Sequence, residues 1–148
     1  IVDDPNDKGN VVMTDDPAAA GGKYGTADLV TKKKYRDFRL HLEFLVVEKG
    51  GNSGVYLQNR YEIQILDGDK SKHGMGAVIN ETPAPYHAYQ GTGKWNAYDI
   101  TANGSSLTVI LNGITTADAQ DNRHTSGPIA LQHRTGLVKF RNVRIRSL

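Results

Sequence analysis

The chain has 148 residues, of which 38% are hydrophobic and 23% are charged, and its formal net charge is +2. That length fits one domain with one core, and that balance excludes wholesale disorder. Cysteine is absent, which excludes disulfides, thiolate metal sites and cysteine nucleophiles. The charge is too small and too scattered to indicate a nucleic-acid-binding protein. No apolar run reaches the ~20 residues of a membrane-spanning helix.

The chain begins at Ile1, without Met and without a signal-peptide segment. We therefore expect a mature or excised part of a longer protein. The absence of cysteine is compatible with a bacterial protein that is secreted, periplasmic or held at the cell surface. Residues 1–148 are predicted to form a single domain. A neighbouring domain could carry part of the function.

Short strands separated by Gly, Asn and Asp turns are predicted from the N-terminus onward. Residues 1–28 are rich in Asp, Pro, Gly and Ala and indicate loops around one strand at 10–14, and another strand begins at Leu29. The sharpest pattern covers residues 37–47, where apolar and polar side chains alternate. A period of two indicates a strand with one buried face and one polar face.

The same punctuation continues to the C-terminus. Runs at 55–58 and 61–65 predict a hairpin, and residues 67–93 predict a loop. Further strands are predicted at 95–101, 106–111, 128–133 and 137–146, with Asn-Gly turns at 103–104 and 112–113 and a polar loop at 118–127. No segment shows sustained helical periodicity. The sequence therefore predicts an all-β sandwich or jelly roll built from antiparallel sheets.

Polar side chains at the outward positions of these strands suggest a groove on the curved outer face of one sheet. A sugar-binding groove needs flat aromatic faces together with planar amide, carboxylate and guanidinium groups. The candidate ligand-binding residues are Arg39, Glu43, Tyr56, Gln58, Gln64, Trp95 and Arg141. The alternative is a solvated sheet face with cross-strand ion pairs, such as Arg39 with Glu43 or Glu62. A lone tryptophan such as Trp95 is more often a packing residue of the core or rim than a platform for a ligand.

Signals for catalysis and for metal binding are weaker. Glu62 and Asp67 could serve as a general acid and base, although spacing within one strand does not fix their separation. The histidines lack metal-ligand spacing. Asp118 and Asp121 could bind Ca²⁺ through their oxygens, although the EF-hand pattern is missing. The sequence indicates no other cofactor.

A series of segments, taken in order, resembles the 3-keto-disaccharide hydrolase domain family. The segments are YRDFRLHLEF at 35–44, GNSGVYLQNRYEIQILD at 51–67, GAVI at 76–79, GKWN at 93–96, YDI at 98–100, LNG at 111–113 and GPIALQHRTGLVKFRNVRIRSL at 127–148. The resemblance covers the chain from about residue 29 to the C-terminus, and the second and last segments are specific together.

This resemblance implies a concanavalin A-like jelly roll that recognises or cleaves glycosides, including 3-keto-glycosides made by a partner oxidoreductase. A ketone at C3 acidifies the C2 proton, so one modest base suffices for elimination followed by hydration. If the chain is an enzyme, Glu62, with His41 or Asp67, is expected near the chemistry. The chain departs from the family pattern at its N-terminal segment, which is unrecognisable, at Ile79 in place of an aromatic, and at Lys94 in place of Glu.

Three functions remain open: a carbohydrate-binding domain, a 3-keto-glycoside hydrolase, and a structural or surface-assembly domain. The expected partner is an oligo- or polysaccharide, and the mild positive charge makes an anionic glycan plausible, with Arg39, Arg60, Lys94 and Arg141 as candidate contacts. Neither a nucleic acid nor a membrane span is expected. A missing N-terminal strand could leave an open sheet edge for a neighbouring domain or subunit.

Overall fold

Two antiparallel β-sheets pack face to face in the computed structural model of the chain, which describes residues 2–3, 10–13, 28–69, 71, 73–84, 87–121, 123 and 125–148. The strands in these residues are β1 (Val2–Asp3), β2 (Asn10–Met13), β3 (Leu29–Val30), β4 (Phe38–Val46), β5 (Asn52–Leu57), β6 (Tyr61–Leu66), β7 (Trp95–Asn103), β8 (Ser106–Leu111), β9 (Ile114–Gln120), β10 (Ile129–Leu131) and β11 (Val138–Ser147). The described residues include no helix with the length and hydropathy needed to cross a membrane.

One sheet has seven strands in the order β1-β2-β11-β4-β7-β8-β9, and the other has four in the order β3-β10-β5-β6. The predicted all-β sandwich of antiparallel sheets is thereby confirmed. The expectation about the N-terminal segment falls mostly on residues 1–27, of which the structure describes only the two short strands β1 and β2. β2 pairs with β11 through Val12 with Phe140 and Met13 with Lys139.

The core lies between the two sheets and follows the alternation of the strands. β4 buries Phe38, Leu42 and Phe44 completely. The ring of Phe44 stacks on that of Tyr98, with ring centroids 4.8 Å apart. The Tyr98 hydroxyl then donates a hydrogen bond of 2.6 Å to the carbonyl of Gln64 in the opposite sheet. Strand β6 is therefore tied to the seven-stranded sheet through the core.

Two strands differ from the sequence-based expectation. β9 was not among the predicted strands, and its last residues, up to Gln120, occupy the start of the polar loop predicted at 118–127. β11 contains a β-bulge between Arg141 and Arg144, with Asn142 in the left-handed region at φ 51°. Because one extra residue shifts the side-chain alternation by one position, the bulge turns Arg144 outward and Ile145 toward the core.

Candidate functional site

The outer face of the four-stranded sheet carries a set of polar side chains in two neighbouring rows. Tyr56 pairs with Glu62 in one row, and Gly54 pairs with Gln64 in the next. Gln132 joins the second row, because its N–H donates to the carbonyl of Gly54. A cavity of about 240 Å³, here called the polar groove, is lined by Asn52, Tyr56, Glu62, Gln64, Ile79, Gln132 and Arg134.

Glu62 is held in the polar groove by a chain of hydrogen bonds. The Tyr56 hydroxyl donates to Oε2 of Glu62 over 2.9 Å. Nε2 of Gln132 in turn donates to the Tyr56 hydroxyl over 3.2 Å. Burial and the hydrogen bond to Glu62 raise the pKa of Tyr56, so its hydroxyl stays protonated and remains a donor at neutral pH. The carboxylate of Glu62 is thus fixed in orientation.

Gly54 leaves the space that the Glu62 side chain occupies. A Cβ atom at residue 54 would lie 2.8 Å from Oε1 of Glu62 and 3.1 Å from its Cγ. Glycine at this position therefore lets the carboxylate lie across the floor of the groove.

Two acceptors in the polar groove lack donors. Oε1 of Gln64 and Oε1 of Gln132 are buried without a hydrogen-bond partner among the described residues. Buried polar atoms are normally paired, so each of these oxygens needs a donor that the described residues do not supply. Ligand hydroxyls meet this requirement, because each can donate one hydrogen bond and accept others.

Five of the predicted site residues lie on the opposite side of the sandwich. The outer face of the seven-stranded sheet carries Arg39, His41, Glu43, Trp95 and Arg141. Here Glu43 accepts hydrogen bonds of 2.6 Å from Nε of Arg141 and from the amide of Asn142. Burial raises the pKa of Glu43, but these hydrogen bonds outweigh burial and lower it. The Arg141 guanidinium also lies 3.9 Å from the centroid of the Trp95 ring. The structure therefore does not bring these side chains to Glu62.

His41 has its own partner on that opposite face. Its Nδ1 lies 2.7 Å from a carboxylate oxygen of Asp99. Since β4 and β6 belong to different sheets, the core separates His41 from Glu62. The structure therefore does not assemble the two into one catalytic group.

Gln58 and Asp67 hold loops in place. Gln58 is buried, and its Nε2 donates to the carbonyls of Tyr35 and Arg36 over 3.2 and 2.7 Å. One Asp67 oxygen accepts from the N–H of Gly50 over 3.0 Å, and the other accepts from a threonine hydroxyl over 3.2 Å. Neither residue lines the polar groove.

Asp118 and Asp121, the candidate calcium ligands, have different surroundings. The Asp121 carboxylate is occupied by side chains: Tyr61 donates to it over 2.9 Å, Arg123 over 2.8 Å and Arg60 over 3.3 Å. These partners, Arg123 foremost, hold the pKa of Asp121 well below its usual range. Asp118 lies exposed on β9. The described residues contain no group of three or more His, Cys, Asp or Glu that could hold a metal ion.

The sequence analysis missed Asn52, Gln132 and Arg134 as lining residues of the polar groove. Gln132 falls within a predicted strand, and its neighbour Leu131 is buried, so alternation alone would have placed it outward. The pairing of β10 with β5, which brings Gln132 to the groove, could not be inferred from the alternation of a single strand.

Comparison with known proteins places these features in context. The model of the 3-keto-alpha-glucoside-1,2-lyase-like domain matches residues 3–146. No curated protein matches the sequence. Among solved structures, a candidate glycosyl hydrolase from Parabacteroides distasonis is 27% identical, with a TM-score of 0.73, and the match covers 83% of this chain and 84% of that one.

A second candidate glycosyl hydrolase from the same organism is 29% identical, with a TM-score of 0.70 and coverage of 83% and 71%. A carbohydrate-binding module from Bacillus subtilis shares the fold at 16% identity, with a TM-score of 0.59 and coverage of 83% of each chain. The fold is thus that of carbohydrate-binding and glycosidase-like jelly rolls. Because the family model spans nearly the whole sequence, this chain belongs to the family of 3-keto-alpha-glucoside-1,2-lyase-like domains.

Proposed function

We propose that the polar groove binds the ring of a 3-keto-glucoside and that Glu62 removes the C2 proton, so that the substituent on C1 is eliminated. The observation that carries this proposal is the orientation of Glu62: its carboxylate lies at the groove floor, fixed by the Tyr56 hydroxyl at 2.9 Å. Membership of the lyase-like family supports the same reaction class.

The reaction needs no co-reactant. The ketone at C3 acidifies the C2 proton, Glu62 accepts that proton, and an enolate forms. The C1–C2 double bond then forms as the C1–O bond breaks, and the departing oxygen takes the proton back from Glu62. Arg134, at the groove wall, supplies positive charge for the enolate oxygen. The products are an unsaturated 3-keto sugar and the free aglycone alcohol.

The test uses a nitrophenyl 3-keto-α-glucoside and follows nitrophenol release. Glu62→Gln keeps the shape of the side chain but removes the base, so we expect turnover to fall by about 10²-fold or more. Glu43→Gln is the matched control, because the same change is made on the opposite face, and its turnover should match the unmodified protein. Equal turnover by the Glu62→Gln variant would refute the assignment.

A second candidate function is glycan binding without chemistry, favoured by the two unpaired glutamine oxygens in the groove. A groove that supplies acceptors for hydroxyl groups can recognise a sugar without a reacting group. A calorimetric titration with glucosides, compared with the nitrophenol assay, distinguishes the two functions. Binding of a glucoside that lacks the ketone, with no turnover of the keto form, selects recognition alone. Absence of both contradicts both.

A further inference from the structure

A second recess lies on the outer face of the seven-stranded sheet, across the core from the polar groove. Its volume is about 500 Å³. Its wall includes Arg39, His41, Asp99, Ile110, Arg144 and Arg146. The recess lies over β4, the central strand of the sheet, and over its neighbours β11 and β7.

The charges in this recess are unbalanced. Arg39 lies directly opposite Arg146 across the β4–β11 pair, and Arg144 lies opposite His41. Like charges that face each other across two strands are destabilising. None of the three arginines makes an ion pair with a described residue. The nearby carboxylates have other partners, since Asp99 contacts His41 and Glu43 contacts Arg141. The three guanidinium groups are therefore available to an anion.

The bulge in β11 creates this arrangement. Without the extra residue between Arg141 and Arg144, Arg144 and Arg146 would point into the core and Ile145 would point outward. With the bulge, Ile145 faces the core, and both arginines lie on the same face as Arg39. We call Arg39, Arg144 and Arg146 the arginine face.

We propose that the arginine face binds an acidic polysaccharide whose sugars carry carboxylate or sulfate groups. Guanidinium groups match such oxyanions in a two-pronged geometry. Arg144 stands two residues from Arg146 along β11, a distance of about 6.6 Å in a strand, so the face offers cations at two separate levels. A ligand with repeated anionic groups engages both levels at once.

A polysaccharide fits better than a single-stranded nucleic acid. Single strands are held by aromatic side chains on which the bases stack. The described wall of the recess contains no Phe, Tyr or Trp, its one imidazole, that of His41, is bonded to Asp99, and Ile110 offers an apolar surface for the C–H face of a sugar ring.

Two of the contacts predicted from the sequence for an anionic glycan are less suitable than the arginine face. Arg60 and Arg141 are already paired with Asp121 and Glu43.

The test measures binding of polygalacturonate and of heparin by calorimetry and by the salt concentration needed for elution. The triple variant Arg39→Gln, Arg144→Gln, Arg146→Gln should lose at least about 10-fold in affinity and elute at lower salt. The matched control changes Lys32, Lys33 and Lys34 to Gln, which removes the same charge from an exposed run and should leave affinity within about twofold. Circular dichroism confirms that both variants are folded.

Three results would overturn the proposal. Equal losses in the arginine and lysine variants would show that net charge alone drives binding. Binding of neutral dextran as tight as that of polygalacturonate would exclude anion recognition. Tighter, arginine-dependent binding of a single-stranded oligonucleotide or of vesicles rich in phosphatidylglycerol would assign the face to another class of partner. A Glu62→Gln variant with unchanged polygalacturonate binding separates this outcome from that of the polar groove.

Discussion

At the scale of the residue, the position of Glu62 depends on the absence of a side chain at Gly54. The atoms nearest to an added Cβ all belong to the Glu62 side chain, with none from the backbone. A methyl group would therefore displace a flexible side chain and leave the sheet in register. A substitution at Gly54 can therefore move the Glu62 carboxylate without a large change in the stability of the fold.

Gly54→Ala should consequently reduce turnover or sugar affinity by about 10-fold or more while changing the melting temperature by only a few degrees. The reason is that the displaced carboxylate loses its hydrogen bond from Tyr56. Tyr56→Phe removes the same bond without adding bulk and should change activity in the same direction. If Gly54→Ala retains full activity and affinity, Glu62 does not act from the position seen here.

Single residues also show where alternation stops being informative. Tyr56 and Glu62 were predicted to face outward, and they do. Gln58 has the same parity as Tyr56 but lies where the hairpin turn begins, with φ at 59°. The left-handed backbone rotates its side chain inward to the carbonyls of Tyr35 and Arg36. A period of two predicts orientation within a strand and loses that power at the first turn residue.

At the scale of the element, Asp121 joins the end of β9 to the start of β6 and to the loop at residue 81. It accepts hydrogen bonds from Tyr61 and Arg123, and Arg123 also reaches Glu81 at 3.0 Å. Arg123, first among its partners, lowers the pKa of Asp121. Protonation of this carboxylate would remove the negative charge that pairs with Arg60 and Arg123 and would weaken the hydrogen bond from Tyr61.

The pH dependence of stability follows from the direction of that shift. A carboxyl group whose pKa is lower in the folded state stabilises the protein above its unfolded pKa of about 3.9, and that contribution is lost as the pH falls toward the folded pKa. The melting temperature should therefore fall between pH 5 and pH 2. Asp121→Asn should flatten this part of the profile.

Asp118→Asn serves as the control for that profile, because Asp118 is exposed on β9, shortly before Asp121. Its melting profile should run parallel to that of the unmodified protein. An equally steep acid transition in Asp121→Asn would assign the transition to other carboxylates.

Elements were predicted more completely than their pairings. The last strand was placed at 137–146, close to the observed β11, but the change of apolar parity from Val138 and Phe140 to Val143 and Ile145 was not interpreted as a bulge. Val143, one of the two residues between the paired positions Arg141 and Arg144, is 46% exposed. A bulge depends on the register with the partner strand, and register is a property of two strands.

At the scale of the whole molecule, the chain passes from one sheet to the other and back. β4 lies in the seven-stranded sheet, β5 and β6 lie in the four-stranded sheet, and β7 returns to the first. Outward residues of β4 and β6 therefore face opposite sides of the sandwich, although both belong to one apparent polar series in the sequence. The predicted single groove divides into two surfaces because alternation does not say which sheet a strand joins.

Two surfaces on opposite sides of one core should bind independently. Stacked sheets lie about 10 Å apart, and sites that share no residue beyond such distances are usually additive in free energy. Saturating polygalacturonate should change the affinity of the polar groove for a glucoside by less than about twofold. Each ligand should also add its own increment to the melting temperature, because each stabilises the folded state by its own mass-action contribution.

The independence of the two surfaces can also be tested by measuring both activities in a variant of each surface. Glu62→Gln should abolish turnover and leave the polygalacturonate increment intact, while the triple arginine variant should do the reverse. Competition between the two ligands, or loss of both increments in either variant, would mean that they share one surface. Independence would instead let one molecule hold an acidic polysaccharide on one sheet while it acts on a second sugar at the other.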